Sequence, residues 1–247
     1  KPYRVAHGGD VVTKQASTPP LHVGHTISAR KATLKKLASM PPSDRRAETQ
    51  ALLLEAGRQL FIEQGIMGTS VKDLCSLAGF SRGAFYSNFS DMEHFIERLA
   101  HEQWKTITEA VDESLEAFLN SERLPLVLDS KNATELASRF LEIMPISRAF
   151  HLLHTEIVSY LARSCTAREE MRIEYRAFKE HLGRALSSAL EKTGRHCILS
   201  PIDTAELFLA CAERSMCIGL AERDDDLKAY IERIAPTLLV QLTVPSH

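Results

Sequence analysis

The chain has 247 residues, of which 44% are hydrophobic and 25% charged, the ordinary mixture of a globular protein with one or two domains. Its Gly, Pro and aromatic contents exclude collagen-like and low-complexity classes, and no apolar run approaches the ~18 residues of a membrane span. The five cysteines are an odd number without a C-x-x-C pair, and the opening residues lack the apolar core of a signal peptide. We therefore expect a cytoplasmic protein in a reducing compartment.

The formal net charge is −2, but the positively and negatively charged residues are distributed very unevenly along the chain. Residues 1–46 contain nine Lys or Arg against two Asp, a local charge of +7 that leaves −9 on the rest of the chain. A basic arm on an acidic body is typical of a segment that contacts a polyanion, although residues 1–29 fit a solvated, disordered tail equally well. Residues 28–37 favour a short basic helix. The candidate DNA contacts in this region are Arg30, Lys31, Lys35, Lys36, Arg45 and Arg46.

Several helix starts can be predicted from a capping pattern. A Ser, Thr or Asn followed three residues later by Asp or Glu marks the start of a helix, because the two side chains satisfy two otherwise unpaired amide groups. The predicted starts are Ser70 with Asp73, Ser90 with Glu93, Asn132 with Glu135, Thr166 with Glu169, and Ser200 with Pro201 and Asp203. The predicted ends are Gly65, Gly79, Pro145 and Gly194. One apolar stripe recurs at helical spacing and comprises Ile96, Ala100, Trp104, Ile107, Val111, Leu115 and Phe118. No segment alternates with period two, so we predict an all-α fold of about nine helices and no sheet.

The most informative segment, residues 69–95, contains three short helices in few residues. Its first helix covers 70–78 and begins at the Ser70 cap, Gly79 supplies a left-handed turn residue, and Ser81 caps a very short second helix. A helix, a tight turn and a second helix form the arrangement that presents the second helix to the major groove of DNA.

The second helix of this segment, predicted to be about two turns long, carries side chains suited to DNA contact. Arg82 can make a bidentate contact to guanine, Gly83 allows the backbone to approach, and Tyr86 can donate its hydroxyl to a phosphate. The capping residues Ser70 and Ser81 are further candidate DNA contacts. Phe85 and Phe89 are interpreted as core residues.

This segment resembles the hallmark of the TetR family of bacterial transcriptional repressors, which reads roughly Thr-x-x-x-Ile-Ala-x-x-Ala-Gly-Val-Ser-x-Gly-x-x-Tyr-x-x-Phe. The corresponding positions here are Ser70, Leu74, Cys75, Ala78, Gly79, Phe80, Ser81, Gly83, Tyr86 and Phe89. The resemblance covers residues 44–100 and includes the family's first-helix pattern in AGRQLFIEQGIMGTS. Two positions depart from it. Met92 stands where the family commonly has a phosphate-binding lysine, and Asn88 stands in a slot often filled by His or Tyr, from which its amide can still bind a phosphate.

The resemblance implies three parts of the chain: a basic extension at 1–43, a helix-turn-helix DNA-binding domain at 44–92, and a helical ligand-binding and dimerisation domain at 93–247. The basic arm is expected to replace the cation missing at Met92 by reaching into a minor groove.

The resemblance also implies a homodimer in which the last two helices, 201–222 and 225–242, pack against their twins as a four-helix bundle. Pro236 is expected to bend or break the final helix. The apolar positions that would supply the dimer surface are Leu207, Phe208, Cys211, Met216, Leu220, Ile231, Ile234, Leu238 and Leu239.

A small effector bound in the larger domain is implied as well. The side chains that could line its site are mostly apolar, and a few end in a polar group, which suits a hydrophobic ligand. The candidates, each also compatible with ordinary core packing, are Phe118, Phe140, Phe150, His154, Tyr160, Tyr175 and Phe178. His151 and His154 lie three apart with Glu156 close by, and such a pair can hold a metal. No third ligand is evident, so we expect neither a metal nor a cofactor.

These features predict a ligand-responsive, dimeric repressor that binds a palindromic operator in double-stranded DNA and leaves it when an effector moves the fourth helix. We expect no membrane association and no enzymatic activity. A helical enzyme with a hydrophobic pocket is one alternative, but G-x-S-x-G, H-E-x-x-H and a phosphate-binding glycine loop are all missing from the sequence. An architectural DNA-binding or protein-interaction module is the other, and it predicts no sequence-selective binding.

Overall fold

In the computed structural model the described residues are 35–36, 40–120, 133–135, 138, 147–164, 169–222 and 226–245. The helices whose two ends both lie in the described residues are α1 Pro42–Gln64, α2 Val71–Ala78, α3 Arg82–Tyr86, α4 Met92–Leu119, α5 Arg148–Arg163, α6 Glu169–Glu191, α7 Pro201–Glu222 and α8 Ala229–Gln241. Two short strands are β1 Arg195–Cys197 and β2 Thr243–Pro245. The prediction of a mostly helical fold is confirmed.

The prediction of no sheet is wrong, because β1 and β2 pair antiparallel. Arg195 lies opposite Pro245 and Cys197 lies opposite Thr243, and the Arg195 Nε donates to the Thr243 Oγ1 at 2.8 Å. Strands of three residues are too short to show alternation. Their partners lie 48 residues apart, so no hairpin turn marks the pair in the sequence either.

Two of the predicted helix starts are confirmed by their hydrogen bonds. At Ser70 the capping box is complete, since Asp73 N donates to Ser70 Oγ at 3.3 Å and Ser70 N donates to Asp73 Oδ2 at 3.0 Å. At the start of α7, Asp203 N donates to Ser200 Oγ at 3.2 Å. In both places the short side chain satisfies an amide that the helix leaves unpaired.

The predicted start at Ser90 with Glu93 is wrong in its capping residue. The His94 N–H donates to Asp91 Oδ1 at 2.7 Å, so the aspartate takes the role assigned to the serine. The starts at Asn132 and Thr166 and the end at Pro145 lie outside the described residues. The other predicted ends, Gly65, Gly79 and Gly194, all have positive φ.

The first three helices and the start of α4 share one aromatic core. Phe61, Phe85, Phe89 and Phe95 are each at most 1% exposed, and the Phe89 and Phe95 ring centroids lie 5.0 Å apart. A Cβ on Gly57 would lie 2.5 Å from Phe95 Cζ, so the close crossing of α1 and α4 requires glycine there. This packing continues past the predicted domain boundary at residues 92 and 93, which stays a prediction.

The second half of α4 packs with α5, α6 and α7 in a larger helical body. The stripe predicted on α4 is buried from Ile96 to Val111, Leu115 is partly buried, and the side chain of Phe118 lies outside the described part of the chain. The α8 helix packs against α7, with Ile231 buried between them.

Two expectations for the last helices are wrong in part. The α8 helix begins at Ala229 and continues through Pro236 without a break, because the proline removes a single backbone donor from a helix that is already packed on α7.

Met216 and Ile231, which were assigned to the dimer surface, are 4% and 1% exposed and therefore belong to the core of one chain. The other seven apolar positions assigned to the dimer are partly buried.

Candidate functional site

The turn between α2 and α3 is fixed by local hydrogen bonds. Gly79 adopts the left-handed conformation at φ 77°, which an L side chain rarely tolerates. Phe80 N donates to Cys75 O at 2.9 Å, and Ser81 Oγ accepts from Ala84 N at 3.1 Å. The two helices are therefore held in a defined helix-turn-helix geometry.

The α3 helix presents two long polar side chains outward and one aromatic side chain inward. It has five residues, which is shorter than the two turns predicted. Phe85 is fully buried, whereas Arg82 is exposed and Tyr86 is 55% exposed. Arg82 makes no hydrogen bond or ion pair with the described residues, so its five donors face solvent. A Cβ on the neighbouring Gly83 would meet nothing nearer than Ser81 Oγ at 3.7 Å.

Two other predicted DNA contacts have side chains that already hold partners. Asn88 Nδ2 donates to Ala84 O at 2.8 Å and to Ser87 Oγ at 3.3 Å, closing the end of α3. The Ser70 hydroxyl is occupied by the capping box. Met92, at the position of the missing lysine, packs against the hydrophobic core.

The basic residues at the start of the described chain lie beside α1. Lys36 Nζ forms an exposed ion pair with Glu48 Oε1 at 3.0 Å, and the Arg45 guanidinium donates to Met40 O at 3.2 Å. Lys35 and Arg46 are exposed. The remaining predicted arm residues, Arg30 and Lys31, lie outside the described residues.

In the larger body, four of the predicted pocket residues meet in a row of aromatic rings. Phe150 stacks on His154 with centroids 6.1 Å apart and an interplanar angle of 9°. His154 lies 6.3 Å from Tyr175, which stacks on Phe178 at 6.2 Å and on Trp104 at 5.3 Å. Tyr160 packs against the same core. The side chains of Phe118 and Phe140 lie outside the described residues.

Several polar atoms of the larger body are buried without a hydrogen-bond partner in the described residues. They are Trp104 Nε1, His151 Nδ1, both ring nitrogens of His154, Gln103 Nε2 and Glu174 Oε2. His154 Nε2 lies 3.4 Å from Glu213 Oε1, a charge contact that is not aligned as a hydrogen bond. We call Trp104, His151, His154, Tyr175 and Glu213 the polar cluster. Buried polar groups are nearly always paired, so such a concentration indicates a place for further polar atoms.

Burial and charge set the protonation states in the polar cluster. Burial lowers the pKa of His151 and thereby favours its neutral form. The His154 imidazole lowers the pKa of the Glu213 carboxyl, which is therefore ionised at neutral pH. Burial, reinforced by Glu213 and Glu206, raises the pKa of Tyr175 to about 12 and keeps its hydroxyl protonated.

Sequence reasoning missed two members of the polar cluster. It placed Trp104 only on a core stripe and did not single out Glu213. The signal available for Trp104 was its indole N–H, because a buried tryptophan normally needs a hydrogen-bond acceptor. Glu213 lies on α7, and no local pattern links it to α5.

Glu156 connects the body to the DNA-binding region. Its Oε2 accepts the backbone N–H of Ile66 at 3.0 Å, across 90 residues of sequence, and lies 3.0 Å from where a Cβ of Gly65 would be. The carboxylate thus points to the turn after α1, away from a metal site with His151 and His154. The described residues contain no group of three His, Cys, Asp or Glu placed to hold a metal ion.

The fold and the exposed α3 helix define a helix-turn-helix DNA-binding protein with a second, larger helical domain. Residues 53–99 match the family described as "Bacterial regulatory proteins, tetR family". The helix-turn-helix part of the chain is therefore similar to this family of bacterial regulatory proteins.

Named relatives agree with this assignment. The HTH-type transcriptional repressor AcnR of Corynebacterium glutamicum is 28% identical over 127 residues, which are 51% of this chain and 68% of the repressor. A putative TetR-family regulator from Mesorhizobium loti has a TM-score of 0.57 at 16% identity, covering 80% of this chain and 96% of that chain. FadR from Bacillus subtilis, in complex with stearoyl-CoA, has a TM-score of 0.55 at 14% identity, covering 77% and 97%. At such identities the two structures establish the fold alone.

Within the described residues, no helix is both long enough and apolar enough to span a membrane.

Proposed function

We propose that this protein is a dimeric transcriptional repressor that binds a palindromic operator and is released from it by a small, mostly hydrophobic effector. The observation that carries this proposal is the α3 helix. Its inner face is anchored by the fully buried Phe85, while Arg82 and Tyr86 remain exposed on the outer face. A rigid helix with unpaired polar groups is suited to groove recognition.

The side chains of α3 divide into one base contact and several phosphate contacts. Arg82 reads guanine through the bidentate geometry of its guanidinium, and Tyr86 donates its hydroxyl to a phosphate. Ser81 Oγ accepts from Ala84 N at the start of α3, and its hydroxyl hydrogen is left to donate to a phosphate. Gly83 lets the duplex approach the backbone. Ser70 and Asn88 contribute chiefly by holding α2 and α3 in place, because their side chains already have protein partners.

The dimer forms through α7 and α8. Seven apolar side chains on these helices remain partly exposed in one chain and would be covered by a second copy. A two-fold axis between the copies places the two α3 helices ~34–36 Å apart, the spacing of successive major grooves, and so requires a palindromic operator.

The effector site lies in the larger body, at the row of rings formed by Phe150, His154, Tyr175 and Phe178, with Tyr160 nearby. The FadR structure of similar fold contains stearoyl-CoA, which supports a ligand site in this kind of fold. The α4 helix joins the two functions, because Phe95 packs in the DNA-binding core and Trp104 stacks in the body. Movement of α4 therefore changes the spacing of the two α3 helices.

The test is fluorescence anisotropy with the DNA upstream of the protein's own coding sequence. Arg82→Ala should weaken operator binding by ~1–3 kcal/mol and relax discrimination at one base pair. Arg176→Ala is the matched control, since Arg176 is an exposed arginine on the body and should leave binding unchanged. An unaltered ratio of operator to scrambled-DNA affinity in Arg82→Ala would remove the assigned role.

We infer that the basic arm strengthens binding without reading most of the sequence. Each phosphate neutralised contributes about −0.9 to the slope of log K against log salt. Deleting residues 1–39 removes Arg30, Lys31, Lys35 and Lys36, so the slope should become flatter by several units while specificity is retained. Equal slopes for the full chain and the truncated chain would refute the arm contact, and Lys36 would then act within the protein, as in its ion pair with Glu48.

A further inference from the structure

The unpaired atoms around the polar cluster include both donors and acceptors. Trp104 Nε1 can only donate, and the other unpaired atoms are His151 Nδ1 and both ring nitrogens of His154, where a neutral imidazole has one donor and one acceptor nitrogen. Trp104, His151 and His154 are all at least nine-tenths buried. A ligand that satisfies these atoms must therefore carry at least one acceptor and at least one donor of its own.

The rings around these atoms favour a flat ligand. The interplanar angles are 9° between Phe150 and His154, 29° between Trp104 and Tyr175, and 19° between Tyr175 and Phe178. Nearly parallel faces of this kind accept another aromatic ring by offset stacking better than a bulky aliphatic group.

The charges near the polar cluster disfavour an anion. The Glu213 carboxylate lies 3.4 Å from His154 Nε2 and repels an anion. Lys179 forms an ion pair with Glu206, and its Nζ lies 4.6 Å from the centre of the Tyr175 ring. Its positive charge is therefore already balanced and does not attract an anionic ligand. A cationic group would be attracted to Glu213 but offers no acceptor to the Trp104 N–H, which a carbonyl does.

We propose that the polar cluster binds an uncharged, planar aromatic molecule that carries a carbonyl acceptor and a hydroxyl donor, as hydroxylated aromatic ketones do. The inference deepens the proposed function, because this molecule would be its effector. The carbonyl accepts from Trp104 Nε1, and the hydroxyl bonds to an imidazole of His151 or His154.

Isothermal titration calorimetry of the full-length protein tests this chemistry without DNA. The probe is 6-hydroxyflavone, and the comparison ligands are flavone, 9-aminoacridine as a planar cation, 9-anthracenecarboxylate as a planar anion, and stearate. We expect one 6-hydroxyflavone per chain, with flavone bound about tenfold more weakly for the lost hydroxyl. The two charged ligands and stearate should bind more weakly still.

Variants locate the binding site. Trp104→Phe and His154→Phe each remove a hydrogen-bonding group but keep an aromatic ring, and each should weaken 6-hydroxyflavone binding about tenfold. The matched control is His181→Phe, the same change at a histidine that instead contacts Asp112 at 2.7 Å, and it should leave the affinity unchanged. Circular dichroism confirms that each variant is folded.

The single tryptophan of the chain gives a second measurement. Because Trp104 stands in the polar cluster, 6-hydroxyflavone should quench its emission with the same midpoint as the calorimetric titration. Tighter binding of stearate or of either charged ligand would overturn the assignment of ligand class. Absence of saturable binding, or equal weakening in His181→Phe, would overturn the site.

The proposed function is tested independently of the ligand class, by the anisotropy measurement with Arg82→Ala. If 6-hydroxyflavone binds as expected and operator DNA does not bind, the ligand class stands and the repressor function falls. If operator DNA binds and 6-hydroxyflavone does not, the repressor function stands and the ligand class falls.

Discussion

The DNA-binding region consists of α1 to α3 with the start of α4. Among the described residues, it contains fewer buried polar side-chain atoms without a hydrogen-bond partner than the larger body does. In the first region Asn88 Oδ1 is the one unpaired buried side-chain atom among the described residues. In the body such atoms occur on Gln103, Trp104, His151, His154 and Glu174, and most of them surround one row of rings. The first region therefore has almost no unpaired buried side-chain atom, whereas the body has hydrogen-bonding capacity left for another molecule.

The difference extends to the way each region is held together. The DNA-binding region uses closely spaced phenylalanines and short capping side chains, so its exposed groups on α3 are rigidly placed. The body uses a row of buried and partly buried aromatic rings beside titratable groups. A region of the first kind suits a fixed partner such as a DNA groove, and one of the second kind suits a ligand that enters and leaves.

The largest effect is expected from Phe85→Ala, which removes a fully buried ring that contacts Phe89 at 5.4 Å and Phe95 at 5.6 Å. Truncating such a ring leaves a cavity and should lower the free energy of unfolding by ~3–5 kcal/mol, with loss of DNA binding. The measurement is denaturant unfolding followed by circular dichroism. Phe150→Ala is the control in the body, where the ring is partly buried, and it should cost less than half as much. Equal costs would contradict the comparison of the two regions.

An intermediate effect is expected at the contact between the regions. Glu156→Ala leaves the backbone N–H of Ile66 without its partner, and Ile66 is only 4% exposed, so the variant should lose ~1–3 kcal/mol of stability. Glu156→Gln keeps an acceptor and should lose less. Hydrogen exchange should become faster at the Ile66 amide in Glu156→Ala and remain unchanged in the surface control Glu180→Ala. Unchanged exchange in both variants would show that Glu156 does not hold this turn.

The smallest effects should differ between the two regions. Ser70→Ala removes a complete capping box and should destabilise the protein by ~0.5–2 kcal/mol. His154→Phe removes two buried nitrogens that have no hydrogen-bond partner, which favours the folded state, but it also removes the imidazole that lowers the pKa of Glu213. Because these two effects oppose each other, the variant without ligand should stay within ~0.5 kcal/mol of the unmodified chain. Thermal unfolding of the two variants beside the unmodified chain measures both. Destabilisation by His154→Phe as large as that by Ser70→Ala would mean that this imidazole is paired in solution.

The DNA-binding region is the part that sequence reasoning described in most detail. Its capping serine, turn glycine and core phenylalanines are local features, each recognisable from a few neighbouring residues, and the structure confirms them at Ser70, Gly79 and Phe85. The errors there were small and local as well. Asp91 competes with Ser90 for the same cap, and α3 is shorter than its pattern indicated.

The candidate site in the body was only partly predictable. Phe150, His154, Tyr175 and Phe178 were chosen for their chemistry, and the structure brings them together. Which polar atoms lack partners depends on the approach of Trp104 from α4 and Glu213 from α7, and neither approach is encoded by spacing within one helix.

What the sequence determined by itself is what depends on neighbours within about one or two helical turns: the caps, the ends of helices, the buried stripe of α4 and the helix-turn-helix. What only the tertiary structure decided depends on residues far apart in the chain. The β1–β2 pair joins residues 48 apart, and the Glu156–Ile66 contact spans 90. Local patterns reflect backbone hydrogen bonding and side-chain periodicity, which act over a few residues. Long-range contacts arise only when packed helices fix the positions of groups that share no local pattern.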